Sequence, residues 1–91
     1  MLHLEYTNQF KRDLKLAKRR GKNLAILNAV MKQIENEEQL EANKRDHALG
    51  GNWYLHRELH IENDWLLIYQ ILKNEKTVIF VRTGSHADLF K

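Results

Sequence analysis

The chain has 91 residues, enough for one domain with a single modest core, and 43% of them are apolar. Proline is absent and glycine occurs only 4 times, which argues against extensive disorder, and the absence of cysteine excludes disulfides and thiolate metal sites. No apolar run approaches the roughly 20 residues of a membrane span, and no signal-peptide pattern opens the chain, so we expect a cytoplasmic protein with no membrane partner.

Basic residues exceed acidic ones, 15 against 12, and many of them are concentrated in one stretch. This basic block consists of Lys11, Arg12, Lys15, Lys18, Arg19, Arg20 and Lys22. Such a block is typical of a solvated helix face, of a phosphate-binding surface, or of a docking surface for an acidic partner. The sequence by itself leaves these three interpretations open.

A short strand and a helical hairpin are predicted for the first third of the chain. Residues 2 to 6 alternate apolar and polar side chains, which indicates a strand. Thr7 or Asn8 can cap the first helix. Gly21 can end that helix, and Asn23 can cap the next one. The apolar stripes are Phe10, Leu14 and Ala17 in the first helix, and Leu24, Leu27, Val30 or Met31, and Ile34 in the second.

A three-stranded antiparallel meander is predicted for the second half of the chain. Residues 36 to 52 are polar and aperiodic, so we expect a loop there, and this loop contains His47. Residues 53 to 60 alternate as a strand does. Residues 65 to 72 are almost wholly apolar, as expected of a central strand covered on both faces, and residues 76 to 83 close the meander.

The alternation within the strands predicts which side chains share a sheet face. On the first strand of the meander, Trp53 shares a face with Leu59, and His60 takes the other face. On the last strand, Phe80 and Arg82 share a face. The predicted fold class is α+β: an N-terminal strand and a two-helix hairpin packed on an antiparallel β-sheet meander. The helices should cover one sheet face, which leaves the opposite face and its rim for function.

Chemically reactive side chains lie at the edges of the predicted strands. His60 and Asp64 flank a hairpin turn, so we expect them to be close in space. Arg82 ends the last strand, and the break at Gly84 can bring His86 back beside it. Histidine gives and takes protons near neutral pH, and arginine stabilises a phosphate whose charge grows during a reaction. Together these residues suggest acid–base chemistry on a nucleic-acid backbone.

Each of these residues also has a purely structural interpretation. Arg82 can form a surface salt bridge, and Asp64 can stabilise its turn while His60 is merely exposed. His47 is uninformative by itself, and Phe90 can either stack on a base or act as a hydrophobic latch. A metal site is not expected, since no HxxxH or HExxH spacing is present and an arginine fits badly beside a cation. No other cofactor is indicated.

Three ordered stretches of the chain resemble one family. They are RDHALGGNW (45 to 53), HRELHIENDWLLIY (56 to 69) and RTGSHADLF (82 to 90). They are similar to the D-H-x-L-x-G-x-W, R-x-x-H-x-x-x-D-W-x-L-I-Y and R-x-G-S/T-H-x-x-L-F patterns of the YafQ branch of the RelE/ParE toxin superfamily. Ala48 stands where that branch often has proline, and Leu55 and His56 also depart from its pattern, which affects loop stiffness and surface contacts.

The resemblance implies a single RelE-like domain over residues 1–91 that is the toxin of a type II toxin–antitoxin system. Such toxins are ribosome-dependent endoribonucleases that cleave mRNA in the ribosomal A site by metal-independent acid–base catalysis and so inhibit translation. The catalytic residues implied by position are His47, His60, Asp64, Arg82, His86 and Phe90. The basic block is the implied RNA- and ribosome-binding surface.

The resemblance also implies partners. The partners are a cognate antitoxin, a small DinJ/RelB-like protein, together with the ribosome and mRNA; operator DNA is contacted only through the antitoxin complex. His60, assisted by Asp64, is the candidate base and His86 the candidate acid, and the reverse assignment is open. Two other functions are also open: a non-catalytic member of the superfamily that poisons DNA gyrase, and a non-toxic RNA-binding module.

Overall fold

The computed structural model describes residues 1–90. The strands are β1 (His3–Tyr6), β2 (His47–Ala48), β3 (Arg57–Glu62), β4 (Trp65–Leu72) and β5 (Thr77–Gly84). The helices are α1 (Asn8–Arg19), α2 (Leu24–Glu35) and α3 (His86–Leu89), and three short 3₁₀ turns cover Ala42–Lys44, Gly51–Trp53 and Lys73–Glu75. No helix in this part of the chain is long and apolar enough to cross a membrane.

The predicted α+β fold is confirmed, with a sheet that is larger than the meander. β3, β4 and β5 form the expected antiparallel meander. β1 joins it in parallel beside β5 and β2 adds a short antiparallel edge to β3, so the strand order is β1-β5-β4-β3-β2. The sheet is therefore mixed, because β1 runs parallel to β5 while the other neighbouring strands are antiparallel.

The predicted helix caps are present. The Thr7 hydroxyl accepts a hydrogen bond from the Phe10 N–H at 2.9 Å and donates one to the Val81 carbonyl at 2.8 Å, so it caps α1 and fixes it to β5. The Asn23 side chain caps α2 by accepting from the Ala25 N–H at 3.0 Å. Gly21 has a φ of +78°, the left-handed conformation that favours glycine at a helix end.

The helices cover one face of the sheet, and a smaller cluster lies on the other. The main core contains Leu2, Phe10, Ala17, Leu27, Val30, Ile34, Leu59, Ile61, Trp65, Leu67, Tyr69, Val78 and Phe80. The second cluster contains Leu66, Ile68 and Leu89, with Leu49, Trp53 and Val81 packed against it. β4 supplies side chains to both, as its apolar sequence predicts.

The strand predicted from residue 53 is wrong at its start. Residues Gly51–Trp53 form a 3₁₀ turn, and β3 begins at Arg57. Leu55 has a φ of +70° and is exposed, so the chain changes direction between the two segments. Trp53 therefore packs against the second cluster, on the sheet face opposite Leu59. The alternation of residues 53 to 60 therefore extends over a turn and the start of a strand, and not over one continuous strand.

The prediction that Phe80 and Arg82 share a sheet face is wrong, because β5 contains a β-bulge. Tyr69 lies opposite Phe80, but the preceding residue of β4, Ile68, lies opposite Arg82, so Val81 is the extra residue. Directly opposed residues of an antiparallel pair share a face. Arg82 therefore lies on the face of Ile68, away from the face that Phe80 shares with the helices.

Phe80 is fully buried and stacks with two other aromatic rings, at centroid distances of 5.8 Å from Tyr6 and 5.9 Å from Phe10. Phe80→Ala should lower the free energy of unfolding by about 3 to 5 kcal/mol, because it leaves a cavity at the contact between α1 and the sheet. Urea denaturation measures this loss. Tyr54→Ala is the control, since an exposed tyrosine outside the core should change stability by only about 0.5 kcal/mol. Equal effects of the two substitutions would contradict this view of the core.

Candidate active site

Three histidines and two aromatic residues meet on the sheet face opposite the main helices. The ring centroid of His86, the first residue of α3, is 6.0 Å from that of His60 on β3 and 6.1 Å from that of Phe90. Phe90 in turn is 6.3 Å from Trp53. His47 on β2 lies opposite Glu58 in the pairing of β2 with β3. The predicted histidines thus share one side of the sheet.

The three imidazoles are held in the same way, through Nδ1. His47 Nδ1 is 2.7 Å from the Arg45 carbonyl and His60 Nδ1 is 3.3 Å from the Asn63 carbonyl. His86 Nδ1 is 2.6 Å from Asp64 Oδ1. Carbonyl and carboxylate oxygens can only accept, so Nδ1 donates in each case. Nε2 of each ring is therefore the nitrogen available for chemistry, as a base when the ring is neutral and as an acid when it is charged.

Asp64 pairs with His86, which corrects the prediction that it assists His60. Its Oδ1 accepts hydrogen bonds from the His86 backbone N–H at 2.9 Å and from His86 Nδ1 at 2.6 Å. Leu66 lies opposite Gly84 in the antiparallel pairing of β4 with β5, so the residue two positions before Leu66 faces the residue two positions after Gly84. That register places Asp64 beside His86, while His60 Nδ1 donates to the Asn63 carbonyl in the turn.

Glu58 is a buried carboxylate between two of the histidines, and the sequence analysis did not identify it. It is only 4% exposed. Its Oε1 lies 3.6 Å from His47 Nε2 and 4.0 Å from His60 Nε2. A buried carboxylate is stabilised by positive charge beside it. The only sequence signal was its position two residues before His60 on a strand, which places both side chains on one face.

Arg82 is ion-paired with Asp13 of α1, another residue that the sequence analysis missed. Arg82 Nε is 2.8 Å from Asp13 Oδ2, and Asp13 is only 6% exposed. The Thr83 backbone N–H donates to the same carboxylate at 3.1 Å. Within residues 1–90, no hydrogen bond or ion pair links Arg82 to His86, so the expected direct contact of the two is not formed. The salt bridge that the sequence left open for Arg82 does exist, but its acidic partner is buried.

The loop that carries His47 is fixed to the sheet through its neighbour Asp46. The Tyr69 hydroxyl donates a hydrogen bond to Asp46, and Arg57 Nη2 does so at 3.0 Å. Burial, together with this hydrogen bond to Asp46, raises the pKa of Tyr69, so the hydroxyl remains a donor. His47 is thereby held at the edge of β3 although its strand has only two residues.

The C-terminal helix, which the sequence analysis did not predict, positions His86 and Phe90. The Ser85 side chain accepts from the Asp88 N–H at 3.1 Å, while Asp88 Oδ2 accepts from the Ser85 N–H at 2.9 Å, forming a capping box. The Phe90 N–H donates to the His86 carbonyl at 2.8 Å. Phe90 is 39% exposed and packs on His86 and Trp53, so it is neither fully free nor buried as a latch.

All seven side chains of the basic block are exposed, as a docking surface or a solvated helix face requires. Some also have intramolecular contacts. Arg20 Nη1 donates to Asp88 at 2.7 Å, and the Lys22 ammonium lies 5.8 Å from the Trp65 ring centroid. In the part of the chain that the structure describes, no group of three or more His, Cys, Asp or Glu side chains is arranged to hold a metal ion.

The contact between Asp64 and His86 should persist in mild acid. The hydrogen bond from the His86 backbone N–H, followed by that from its ring, lowers the pKa of Asp64 below its ordinary value of 3.8. The contact therefore contributes fully above pH 3.8 and is lost as the pH falls through the lower, folded-state pKa. A titration of the Asp64 carboxyl ¹³C signal should show this lower midpoint in the folded protein and not in urea. A midpoint at or above the urea value would contradict the hydrogen bonding.

Comparison with known proteins identifies the family. The model of the family described as "Bacterial toxin of type II toxin-antitoxin system, YafQ" matches residues 2–91. The chain is 42% identical over 88 residues to the mRNA interferase toxin YafQ of Escherichia coli K12, covering 96% of this chain and 94% of that protein.

Solved structures show the same likeness in three dimensions. The crystal structure of YafQ from E. coli BL21(DE3) superposes with a TM-score of 0.93 at 38% identity and full coverage of both chains. A toxin chain from the E. coli DinJ–YafQ toxin–antitoxin complex superposes with a TM-score of 0.89 at 40% identity, covering 99% of this chain and 98% of that one. The chain therefore belongs to the YafQ family of bacterial toxins of type II toxin–antitoxin systems.

Proposed function

We propose that this protein is an endoribonuclease, an mRNA interferase that cleaves mRNA in the ribosomal A site and so inhibits translation. The observation that carries this proposal is the set of three histidines on one sheet face, each held through Nδ1 with Nε2 available. The likeness to a curated mRNA interferase over nearly the whole chain supports the same activity. The acid and base needed for phosphodiester cleavage are thus supplied by the protein.

The reaction is an attack of the RNA 2′-hydroxyl on its neighbouring phosphate. The bond from the 2′-oxygen to phosphorus forms and the bond from phosphorus to the 5′-oxygen breaks. A base takes the proton of the 2′-hydroxyl and an acid gives a proton to the leaving 5′-oxygen, so the products are a 2′,3′-cyclic phosphate and a 5′-hydroxyl. The nucleophile belongs to the substrate, so the step needs no metal-bound water.

His86 suits the role of the acid, and His60 that of the base. Asp64 accepts from His86 Nδ1, so a carboxylate orients the ring whose Nε2 is assigned to give a proton to the leaving oxygen. His60 instead donates from Nδ1 to the neutral Asn63 carbonyl, and the Glu58 carboxylate beside its Nε2 is 4.0 Å away, beyond hydrogen-bonding distance, so the Nε2 lone pair is available. The two rings are 6.0 Å apart, a separation that allows them to act on opposite sides of one phosphate.

His47, Arg82 and Phe90 complete the proposed site. Arg82 stabilises the charge that develops on the phosphate. His47, whose Nε2 is 3.6 Å from the buried carboxylate of Glu58, contacts or protonates the phosphate. Phe90 is part of a row of rings with Trp53 and His86, and its exposed side orients a nucleotide base by stacking.

The basic block is the proposed ribosome-docking surface. Its exposed lysines and arginines would contact rRNA phosphates, and binding through such contacts weakens as salt concentration rises. The proposed inhibitor is a cognate DinJ-like antitoxin, which is supported by the complex in which the E. coli relative is bound to DinJ. Operator DNA would be reached only through that antitoxin complex. The proposed setting is the cytoplasm, where ribosomes and mRNA are found.

His86→Ala should lower the rate of mRNA cleavage on programmed ribosomes by about 10² to 10⁴, since it removes the proposed acid. Arg82→Lys should also lower the rate, because lysine keeps the charge but loses the planar pair of donors. Mapping of mRNA 5′ ends after single-turnover reactions gives the rates. His3→Ala is the control, because His3 lies on β1 and its side chain is exposed outside the site. Full growth arrest by the His86→Ala protein would contradict the assignment of His86 as the acid.

Glu58→Gln should slow cleavage without unfolding the protein, because the amide keeps the shape of the side chain but removes the charge between His47 and His60. We expect a loss of about 10-fold or more in the single-turnover rate, comparable to one removed electrostatic contact. Glu62→Gln is the matched control, since Glu62 lies on the same strand and is exposed. Equal rates for the two variants would show that Glu58 is only a structural residue.

A further inference from the structure

Asp13 of α1 and Arg20, the residue directly after α1, contact the segment that carries Arg82, His86 and Phe90. Asp13 and Arg20 are seven residues apart, or about two helical turns, so they lie on the same face of the helix. Asp13 pairs with Arg82 at the end of β5, and Arg20 pairs with Asp88 in α3. The helix thus holds both parts of this segment.

Asp13 fixes the orientation of the Arg82 guanidinium. Arg82 donates through Nε at 2.8 Å and through Nη2 at 3.3 Å, so one edge of the planar group faces the carboxylate. The Asp13 carboxylate is itself held by Gln9 Nε2 at 3.0 Å and by the Thr83 N–H at 3.1 Å. The remaining N–H groups of the guanidinium point away from this pair and are free to bind a phosphate in a fixed orientation.

Arg20 fixes α3 in a similar way. Its guanidinium donates to both oxygens of Asp88, at 2.7 Å and 3.3 Å. Asp88 also completes the capping box with Ser85. Its side chain packs closely on Gly84, because a Cβ placed on that glycine would lie only 2.9 Å from Asp88 Oδ2. A helix of four residues is unstable by itself, so the placement of His86 depends on contacts of this kind.

We propose that Asp13 and Arg20 are positioning residues for the cleavage reaction: the first sets the orientation of Arg82, and the second sets the placement of His86 through α3. This inference rests on the proposed function, since it assigns Arg82 and His86 to the reacting phosphate. It separates Arg20 from its neighbours in the basic block. Those neighbours bind the ribosome, whereas Arg20 contributes to the geometry of the site.

The test separates binding from chemistry. Asp13→Asn and Arg20→Gln are compared with Arg19→Gln, a neutralised neighbour that is exposed and forms no ion pair within residues 1–90. Ribosome Kd is measured by co-sedimentation, and the cleavage rate is measured at saturating ribosome concentration. Asp13→Asn and Arg20→Gln should lower the saturated rate by about 10 to 10², with a Kd no weaker than that of Arg19→Gln.

Arg19→Gln should weaken ribosome binding, which makes it the reference for a docking residue. Lys32→Gln, at an exposed residue of α2 outside the basic block, should leave the saturated rate unchanged. Arg20→Lys, which keeps the charge and one hydrogen bond, should recover part of the rate lost in Arg20→Gln. If Arg20→Gln behaves as Arg19→Gln does, Arg20 is a docking residue and its part of the proposal is wrong. A saturated rate unchanged in Asp13→Asn would overturn the part that concerns Asp13.

A second measurement does not depend on activity or on the stability of one variant. In wild-type protein labelled with ¹⁵N, the Arg82 Nε–H signal, assigned by its loss in Arg82→Lys, should be well dispersed and slow to exchange with water. Asp13→Asn should return it to the position of a free arginine, and Arg20→Gln should shift the amides of residues 85–90. Ribosome-bound mRNA left intact by the wild-type protein would overturn the proposed function. A fast-exchanging Arg82 signal in the wild type would overturn the positioning itself.

Discussion

Leu66 lies opposite Gly84 in the pairing of β4 with β5, and the rest of the site depends on this register. It brings the turn before β4 to the segment after β5, so that Asp64 meets His86. The bulge at Val81, within the same pair of strands, turns Arg82 onto the face of the second cluster. β4 can impose this register because it is buried on both faces, and a slip by one residue would exchange its two sets of side chains.

Charge is distributed in this small protein so that its buried acids have basic partners. Asp13 is paired with Arg82, and Glu58 faces the Nε2 atoms of His47 and His60. An isolated buried carboxylate would cost several kcal/mol, so each of these acids stabilises the fold only in the presence of its partner. The groups proposed for catalysis therefore also contribute to the stability of the sheet face on which they lie. Removal of a basic side chain would leave the negative charge of its buried carboxylate partner unpaired.

The sequence predicted local structure well, because caps and periodicity depend on near neighbours. Thr7 and Asn23 cap the helices that their positions indicate, and the meander follows from alternation and turn residues. Contacts between distant parts of the chain could not be predicted in this way. Asp13 and Arg82 are 69 residues apart, and their ion pair joins α1 to the end of β5. Nothing near Asp13 in the sequence indicates its partner.

The wrong partner for Asp64 shows the same limit. Residues that flank a turn are close in space, so the sequence predicted Asp64 beside His60. The β4–β5 register offered His86 instead, with a backbone N–H as well as a ring N–H, and two donors stabilise a carboxylate better than one. The order of the six candidate residues was visible in the sequence. Their grouping into His86 with Asp64, and His47 with His60 and Glu58, depends on the pairing of the strands, which the sequence does not show.

The position of β5 between β1 and β4 has a consequence for how the chain folds during synthesis. β1 is made near the start of the described chain, but its only strand partner is β5, so it stays unpaired until β5 has been made. Contacts of such long sequence separation make folding a late and cooperative event. Arg82, His86 and Phe90 lie in or directly after that strand. A nascent or truncated copy that lacks β5 would therefore have an incomplete sheet and would lack Arg82, His86 and Phe90, so the candidate site is complete only after β5 and α3 have been made.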